Sequence, residues 1–338
     1  VARRVLLPAS ISAEAPLRDG RILDLRGETM GTTWSARIVQ RAGAADSQPC
    51  LQQGLQRQLH GVVAEMSHWE PDSDLGRFNR AGACTWHTLP EAFFFVLSYA
   101  MGVARATGGA CNPCAGELVN LWGFGATGRY DQPGFTAPAP EEVAQARTRL
   151  AARRVEIDPA RRRVFQPGGV QLDLSAVAKG YGVDALARWL EGQGIRHYLV
   201  EVGGELRGAG FKPDGQPWWV ALETPDGGVD EIAVALHGLA VATSGDYRRY
   251  FLRHDRRFPH TIDPRSGAPI TNNVASVTVV HEQAMAADAW STALTVLGEE
   301  AGLRLAEQQG LAARFLLREA DTLREAMSSR FRTMLDDE

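Results

Sequence analysis

Helix-type and strand-type hydrophobic patterns are interspersed along this 338-residue chain, without the strict strand–helix–strand alternation that a parallel sheet requires. That irregular order constrains the fold most, and it predicts an α+β architecture with antiparallel pairing. Leu51, Leu55, Leu59, Val62, Val63 and Met66 recur at helical spacing, so Gln48 to Met66 is expected to be a helix. LPEAFFFVLSYAMGVARATGG reads as a buried helix ending at Gly108, and EEVAQARTRLAARR as another. AKGYGVDALARWLEGQG is a helix closed by Gly192 and Gly194. Further helices are expected in MAADAWSTALTVLG and GEEAGLRLAEQQG. Trp34, Ala36 and Ile38 alternate after a turn in GETMG, as in a strand. VEIDPARRRVFQPGGVQLDL reads as a β-hairpin with DPARR as its turn. Strands follow around HYLVEVGGELRGAG, PWWVALE, EIAVALHGLAVAT, ASVTVVHE and ARFLLRE. Pro71, Asp72 and Ser73 break the helical pattern in MSHWEPDSDLGRFNRAG. Residues 1–20 are expected to be an irregular lead-in. Residues 21–338 are expected to form the functional domain, with a Gly- and Pro-rich loop at 126–140 as either an internal boundary or a surface excursion.

A chain of this length can bury a large core, and its net charge of −4 with no basic block argues against nucleic-acid binding. RRYFLRHDRR, Arg248 to Arg257, is locally positive: a solvated face, or an attraction for a phosphate-bearing ligand. No run of about 18 apolar residues is present, so no membrane-spanning helix is expected. Two arginines and a short apolar patch open the chain without a full signal-type hydrophobic region. With Val1 in place of an initiator Met, the chain reads as trimmed. Cys50, Cys84, Cys111 and Cys114 are too few and too scattered for a disulfide scaffold. Cys111 and Cys114 form a lone CxxC, open to readings as a redox pair or half a zinc site. Packing with an incidental disulfide is the simplest of them.

Chemistry concentrates in four segments. On a helix Asp288, Ser291 and Thr292 share one face, because residues three and four apart are neighbours. A carboxylate with two hydroxyls is a hard-oxygen cluster of the kind that suits Mg²⁺, although the same residue types also cap helices. In DLSAVAKGYGVDALARWL a strand is expected to end at Asp173, and a helix to start near Ala178. Backbone amides at that helix start, with Lys179, would favour an anion, and carbonyls of the turn could complete a metal shell. An ordinary turn with Asp173 as cap is the alternative, and no Walker-type GxxxxGK[ST] loop is present. In VEVGGELRGAG, Gly203 and Gly204 mark a bulge or a close backbone approach, and Glu205 is either a site acid or an exposed strand residue. In HTIDPRSGAPI, His260 stands in a turn with Asp263, as a general base, a phosphate donor or simply an exposed histidine.

In order along the chain, MGTTW, MSHWEPDSDLGRFN, GELVNLWGFG, DLSAVAKGYGVD, VEVGGELRGAG, SGDYRRYF, HTIDPRSG and DAWSTALTVLG resemble the ApbE family of FAD:protein FMN transferases. The resemblance implies a T-fold-like α+β architecture with mixed or antiparallel sheets and FAD, the substrate, held between the halves. It implies Mg²⁺-dependent transfer of FMN to a Thr or Ser hydroxyl of an acceptor flavoprotein subunit, with release of AMP. By matching position, the Mg²⁺ ligands would be Asp288, Ser291, Thr292 and the carbonyl of Ala176. FAD would contact Met30, Trp69, Ala110, Cys111, Asn112, Asp173, Lys179 and Ile262. Lys179, His260 and Asp288 would carry catalysis, His260 helping to deprotonate the acceptor. An FAD pyrophosphatase and a non-catalytic flavin-binding maturation protein are the alternatives. The resemblance further implies a periplasmic location, with an inner-membrane lipoprotein as the native form. No lipid-attachment Cys lies near Val1, so the chain itself is expected to be soluble. Asn112 and Cys114 stand where the family commonly has Asp and Thr, Glu205 where Asp is usual, and Trp69 where Tyr is frequent.

Overall fold

A computed structural model describes all residues except 1, 2, 9, 12, 13, 42–47, 226–228, 247, 248, 254, 255, 321, 337 and 338. Its contacts divide the chain into two compact units. The first comprises residues 1–60, 179–245 and 273–338; the second comprises 61–178 and 246–272.

The first unit is built on an eight-stranded sheet. Its spatial order is Thr322–Met327, Ala312–Glu319, Val274–His281, Leu239–Gly245, Glu205–Ala209, Tyr198–Val202, Thr32–Arg41 and Gly20–Thr29, and every neighbouring pair is antiparallel. Successive strand residues face opposite sides, so Trp34, Ala36 and Ile38 enter one core while Val39 enters another. In the first core, Leu51, Leu55 and Leu59 of the Gln48–Met66 helix meet Val183, Leu186 and Leu190 of the Ala178–Gly192 helix. The two helices approach closely at Gly54, where a Cβ would lie 2.0 Å from the Trp189 ring. The second core packs Val39, Val241 and Val280 against a smaller sheet carrying Leu6, Trp218, Val234 and Leu236. A sheet covered on both faces explains why Val274–Val280 is buried without interruption, Ser276 and Thr278 included. The Ala284–Leu297 helix that follows is buried almost all round, and its Asp288, Ser291, Thr292 and Thr295 form a polar stripe on an otherwise apolar surface.

The second unit holds the helices Asp74–Asn79, Glu91–Ala106, Gly116–Leu121 and Pro140–Ala152, and the strands Thr85–Thr88, Arg163–Gln166 and Ile157–Asp158 paired antiparallel in one small sheet. Two hairpins complete it, Tyr250–Arg253 with Arg256–Pro259 and Ile262–Asp263 with Ala268–Pro269. Phe251 stacks on Phe258 with centroids 5.1 Å apart, and Phe124, Tyr130 and Phe135 pack round it.

The α+β expectation holds, as do the predicted helices and the Asp158–Arg163 hairpin. Three local readings need correction, and a fourth gains detail. Arg3–Leu6, within the expected irregular lead-in, is a strand running parallel to Glu231–Leu236. It buries Leu6 completely, a gain that depends on a partner more than 200 residues away. The 126–140 loop lies inside the second unit, so of its two readings the boundary fails and the surface excursion stands: it is half-buried to exposed throughout and pinned by the Phe135–Phe251 and Phe124–Tyr130 contacts. Asp173 does not end a strand, because its neighbourhood pairs only through a single bridge, Ala115 with Gln171. The locally positive 248–257 stretch contains a hairpin, although Arg248, His254 and Asp255 lie outside the described residues. Among the described residues no helix is long and apolar enough to cross a membrane.

Candidate active site

Gly203 and Gly204 form the two-residue turn of a tight hairpin, with φ of +60° and +102°, rather than a bulge. Such left-handed positions are open to glycine at little cost. A Cβ on Gly203 would also lie 2.9 Å from Thr32 Cγ2 and 3.4 Å from Lys179 Cδ, so the bare backbone leaves room for the lysine stem. The turn delivers Glu205, whose carboxylate accepts a hydrogen bond from Lys179 Nζ. Glu205 is only 4% exposed, which makes this residue a buried acid rather than an exposed strand residue.

Asp288 is 3% exposed, and its Oδ2 accepts the amide of Gly180 at 2.9 Å. Gly180 has to be glycine: a Cβ there would lie 2.3 Å from the Ala284 carbonyl oxygen and 2.8 Å from Asp288 Cβ. Burial pushes the Asp288 carboxyl up from its ordinary value, and Lys179 partly opposes this. Burial also lifts Glu205 to about 7, against the pull of Lys179 and with a further push from Asp288. Two buried carboxylates thus share one ammonium, and Glu205 Oε2 is buried without a hydrogen-bond partner. Desolvation favours the neutral acids, and an added cation would reverse that preference.

Beside Asp288 lie three hydroxyls. Ser291 Oγ donates to the Asp288 carbonyl at 3.0 Å, and Ser244 Oγ sits 2.9 Å from both Ser291 Oγ and Thr292 Oγ1. The expected Asp288–Ser291–Thr292 face is therefore real. Ser244, at the end of the Leu239–Gly245 strand, joins it from outside the helix. Local pattern did not single out Ser244; its one signal is the Ser-Gly-Asp sequence closing an apolar strand. Among the described residues no group of three or more His, Cys, Asp and Glu side chains could hold a metal ion. The donors are instead one carboxylate with hydroxyls, a set that fits a hard cation whose remaining positions go to water and phosphate oxygens.

In the second unit, Asp173 Oδ1 accepts the Ser175 amide at 2.7 Å, so it closes the turn before Ala178 and does not cap the helix. Ala176 lies in that turn. The Asp173 amide donates to Pro113 O at 2.8 Å and the Gly116 amide to Gln171 O at 3.0 Å, which lays the Ala110–Cys114 segment alongside Asp173. Ala110 is buried, and Asn112 Oδ1 accepts the Cys114 amide at 2.9 Å. Cys111 and Cys114 form no disulfide; Cys114 is packed in the interior, in keeping with the simplest reading of the pair, and burial pushes its thiol up to about 12. His68, which lies in the MSHWEPDSDLGRFN motif but is not singled out by it, has Nδ1 3.8 Å from Asp173 Oδ1, and its Nε2 is buried without a hydrogen-bond partner. The adjacent Trp69 is 41% exposed, with the Arg129 guanidinium 5.5 Å over its ring.

His260 Nδ1 lies 3.1 Å from the Arg249 carbonyl. A carbonyl only accepts, so this nitrogen carries the proton and Nε2 keeps the lone pair that a general base needs. Asp263 is engaged by Arg265 through two 2.9 Å bonds, and the neighbouring Ile262 is buried. In the first unit Met30 occupies a hairpin turn at φ +50°, an uncommon conformation for a residue with a side chain. It packs on the first core, and a Cβ on Gly182 would lie 3.3 Å from its Cε. Lys179, Asp288, Ser291 and Thr292 are thus brought together with Glu205 and Ser244, while Asp173 and the Ala110–Asn112 segment form a second group with His68.

Fold and site together define an α+β protein with a buried hard-oxygen centre next to a carboxylate-paired lysine. The chain belongs to the ApbE family, whose model matches residues 30–315. It is 39% identical over 321 residues to the FAD:protein FMN transferase of Vibrio cholerae serotype O1, covering 92% of each chain. To the Escherichia coli K12 protein of the same name it is 34% identical, covering 93% of this chain and 89% of that one. The solved flavin transferase ApbE from Vibrio cholerae superposes with a TM-score of 0.84 at 36% identity, over 93% of this chain and 99% of that one. The apo form of Pseudomonas stutzeri flavinyl transferase ApbE gives 0.83 at 36% identity, over 93% and 97%.

Proposed function

We propose that this chain transfers the FMN part of FAD to a Thr or Ser hydroxyl of a target flavoprotein and releases AMP. The observation that carries this reading is the buried Lys179–Glu205–Asp288 group with its three hydroxyls, in a chain of the ApbE family. In the reaction the acceptor oxygen bonds to the FMN phosphorus. The P–O bond between FMN and AMP breaks, and AMP leaves with the electron pair. The acceptor hydroxyl loses its proton, which His260 would take as general base.

Asp288, Ser291, Thr292 and the Ala176 carbonyl, with Ser244 as a further hydroxyl, would hold Mg²⁺, which when bound offsets pyrophosphate charge and eases departure of AMP. Lys179 adds a fixed positive charge for phosphate oxygens, and Glu205 holds that ammonium in place. Trp69 and Met30 would offer π and thioether surface to the rings of FAD, and Ala110, Cys111, Asn112, Asp173 and Ile262 would be its further contacts. Phosphoryl transfer through a loose transition state depends more on positioning and charge than on activation of the nucleophile. His260 accordingly contributes less than Asp288. Family resemblance supports placing the chain in the periplasm, with an inner-membrane lipid anchor in the native form.

The test is incubation of FAD with an acceptor flavoprotein in Mg²⁺ or EDTA, following AMP by chromatography and the acceptor by intact mass. An FMN-sized mass gain matched by AMP, absent in EDTA and in Asp288→Ala, is the expected result. AMP with free FMN and an unmodified acceptor would replace transfer by pyrophosphate hydrolysis. FAD binding with no AMP under any divalent metal would leave a non-catalytic flavin binder.

A further inference from the structure

The Ala178–Gly192 and Ala284–Leu297 helices hold each other through reciprocal carboxylate–amide bonds. From the second helix, Asp288 Oδ2 accepts the Gly180 amide at 2.9 Å. From the first, Asp184 returns the contact one turn further on. Its Oδ1 accepts the Ala284 amide at 3.1 Å and its Oδ2 accepts the Met285 amide at 2.9 Å. Asp184 is 2% exposed, and Arg207 Nη1 also donates to Oδ1 at 2.7 Å.

The first amides of a helix have no acceptor within it. The residue placed to serve them locally, Gln283, makes no side-chain cap bond. Asp184 therefore caps the Ala284–Leu297 helix from a hundred residues away, and Asp288 follows one turn after the capped Ala284. Arg207 and Glu205 lie two apart on one strand and so face the same side. Glu205 takes Lys179 and Arg207 takes Asp184, so two pairs of opposite polarity hold the first helix to that strand.

We propose that Asp184 is a positioning residue of the metal site, setting the axial seat of the Ala284–Leu297 helix so that Asp288, Ser291 and Thr292 meet the cation. This rests on the metal reading of those three residues. Asp184→Asn keeps the shape but places an NH₂ where a donor already points, because three donors converge on the two carboxylate oxygens. Loss of a partner that orients metal ligands lowers metal affinity by about 10–100-fold.

The experiment titrates MnCl₂ alone into the whole chain, following free Mn²⁺ by electron paramagnetic resonance, with melting temperature recorded for every variant. Wild type should bind and Asp288→Ala should not. If wild type does not bind, the metal reading itself fails. Asp184→Asn should bind about 10–100-fold more weakly, the range expected when an orienting partner is removed. Arg207→Met, which spares the amide bonds, should keep wild-type affinity even if it melts earlier. Adding Gln283→Asp to Asp184→Asn supplies a local cap and should restore Mn²⁺ affinity. Wild-type affinity in Asp184→Asn overturns the proposal, as does an equal loss in Arg207→Met. Should Asp184→Asn not fold, the double variant decides. Recovery of both fold and affinity supports the proposal; recovery of fold alone, or of neither, refutes it.

Discussion

Removing the charge from Glu205 should make the metal-free protein more stable than wild type at alkaline pH and leave the two alike at acid pH. In the fold, burial holds the Glu205 carboxyl at about 7, against an ordinary 4.5. The unfolded chain therefore releases this proton first. Between about 4.5 and about 7 the folded state holds more protons than the unfolded one, and stability falls as pH rises through that window. At about 1.4 kcal/mol for each tenfold change in proton affinity, the loss is on the order of 3 kcal/mol once pH exceeds the folded value. The ion pair with Lys179 is already included, since it opposes the upward push without cancelling it. Glu205→Gln preserves the neutral form at every pH and should escape the loss. The assay is urea unfolding in EDTA, followed by tryptophan fluorescence at intervals from about pH 4.5 to about pH 8.5, a range that brackets the window. The quantity of interest is the wild-type minus variant stability, in which other titrating groups largely cancel. A difference that stays flat across the window, or that rises with pH, would refute the argument that burial dominates at Glu205.

Gly180→Ala forces a methyl against the Ala284 carbonyl, so urea unfolding should show a loss of about 1–3 kcal/mol, with weakened Mn²⁺ binding. Arg314 is buried against Glu325, and Arg314→Met leaves Glu325 with Arg4 alone; a loss of about 3 kcal/mol is expected by the same measurement. Titration of the native protein with a thiol reagent should modify the exposed Cys50 and Cys84 first, and Cys114 only on unfolding, because burial holds its thiol at about 12. His260→Ala should lower FMN transfer by about 100-fold while Mn²⁺ binding is retained, the range of a lost general base. Loss of metal binding in that variant would instead make His260 part of the metal site.

Short-range chemistry is legible in the order of residues alone. Helical spacing places Asp288, Ser291 and Thr292 on one face, and alternation places Trp34, Ala36 and Ile38 in a core, because both depend only on backbone periodicity. The Gly203–Gly204 pair announces a special backbone but not its form: bulge and hairpin turn use the same residue, and strand pairing chooses between them. Glu205 stands evenly between site acid and exposed strand residue on sequence grounds, since alternation gives a face but not what covers it. Ser244, His68 and Asp184 each lie within a quoted motif, but periodicity and residue type do not give their roles, because each acquires its role from a partner distant in sequence.

The α+β class, most of the helices, the hydroxyl–carboxylate face and the family therefore belong to the sequence. All of these follow from periodicity, from residue type or from an ordered set of motifs. Folding in three dimensions is what makes Arg3–Leu6 a strand, pairs Lys179 with Glu205, and lets Asp288 and Asp184 exchange amide bonds between two helices. Burial and charge balance belong to neighbours in space. The fold brings those neighbours together across separations of 26 residues for the ion pair and 108 for the Asp288–Gly180 bond, beyond the reach of any local pattern.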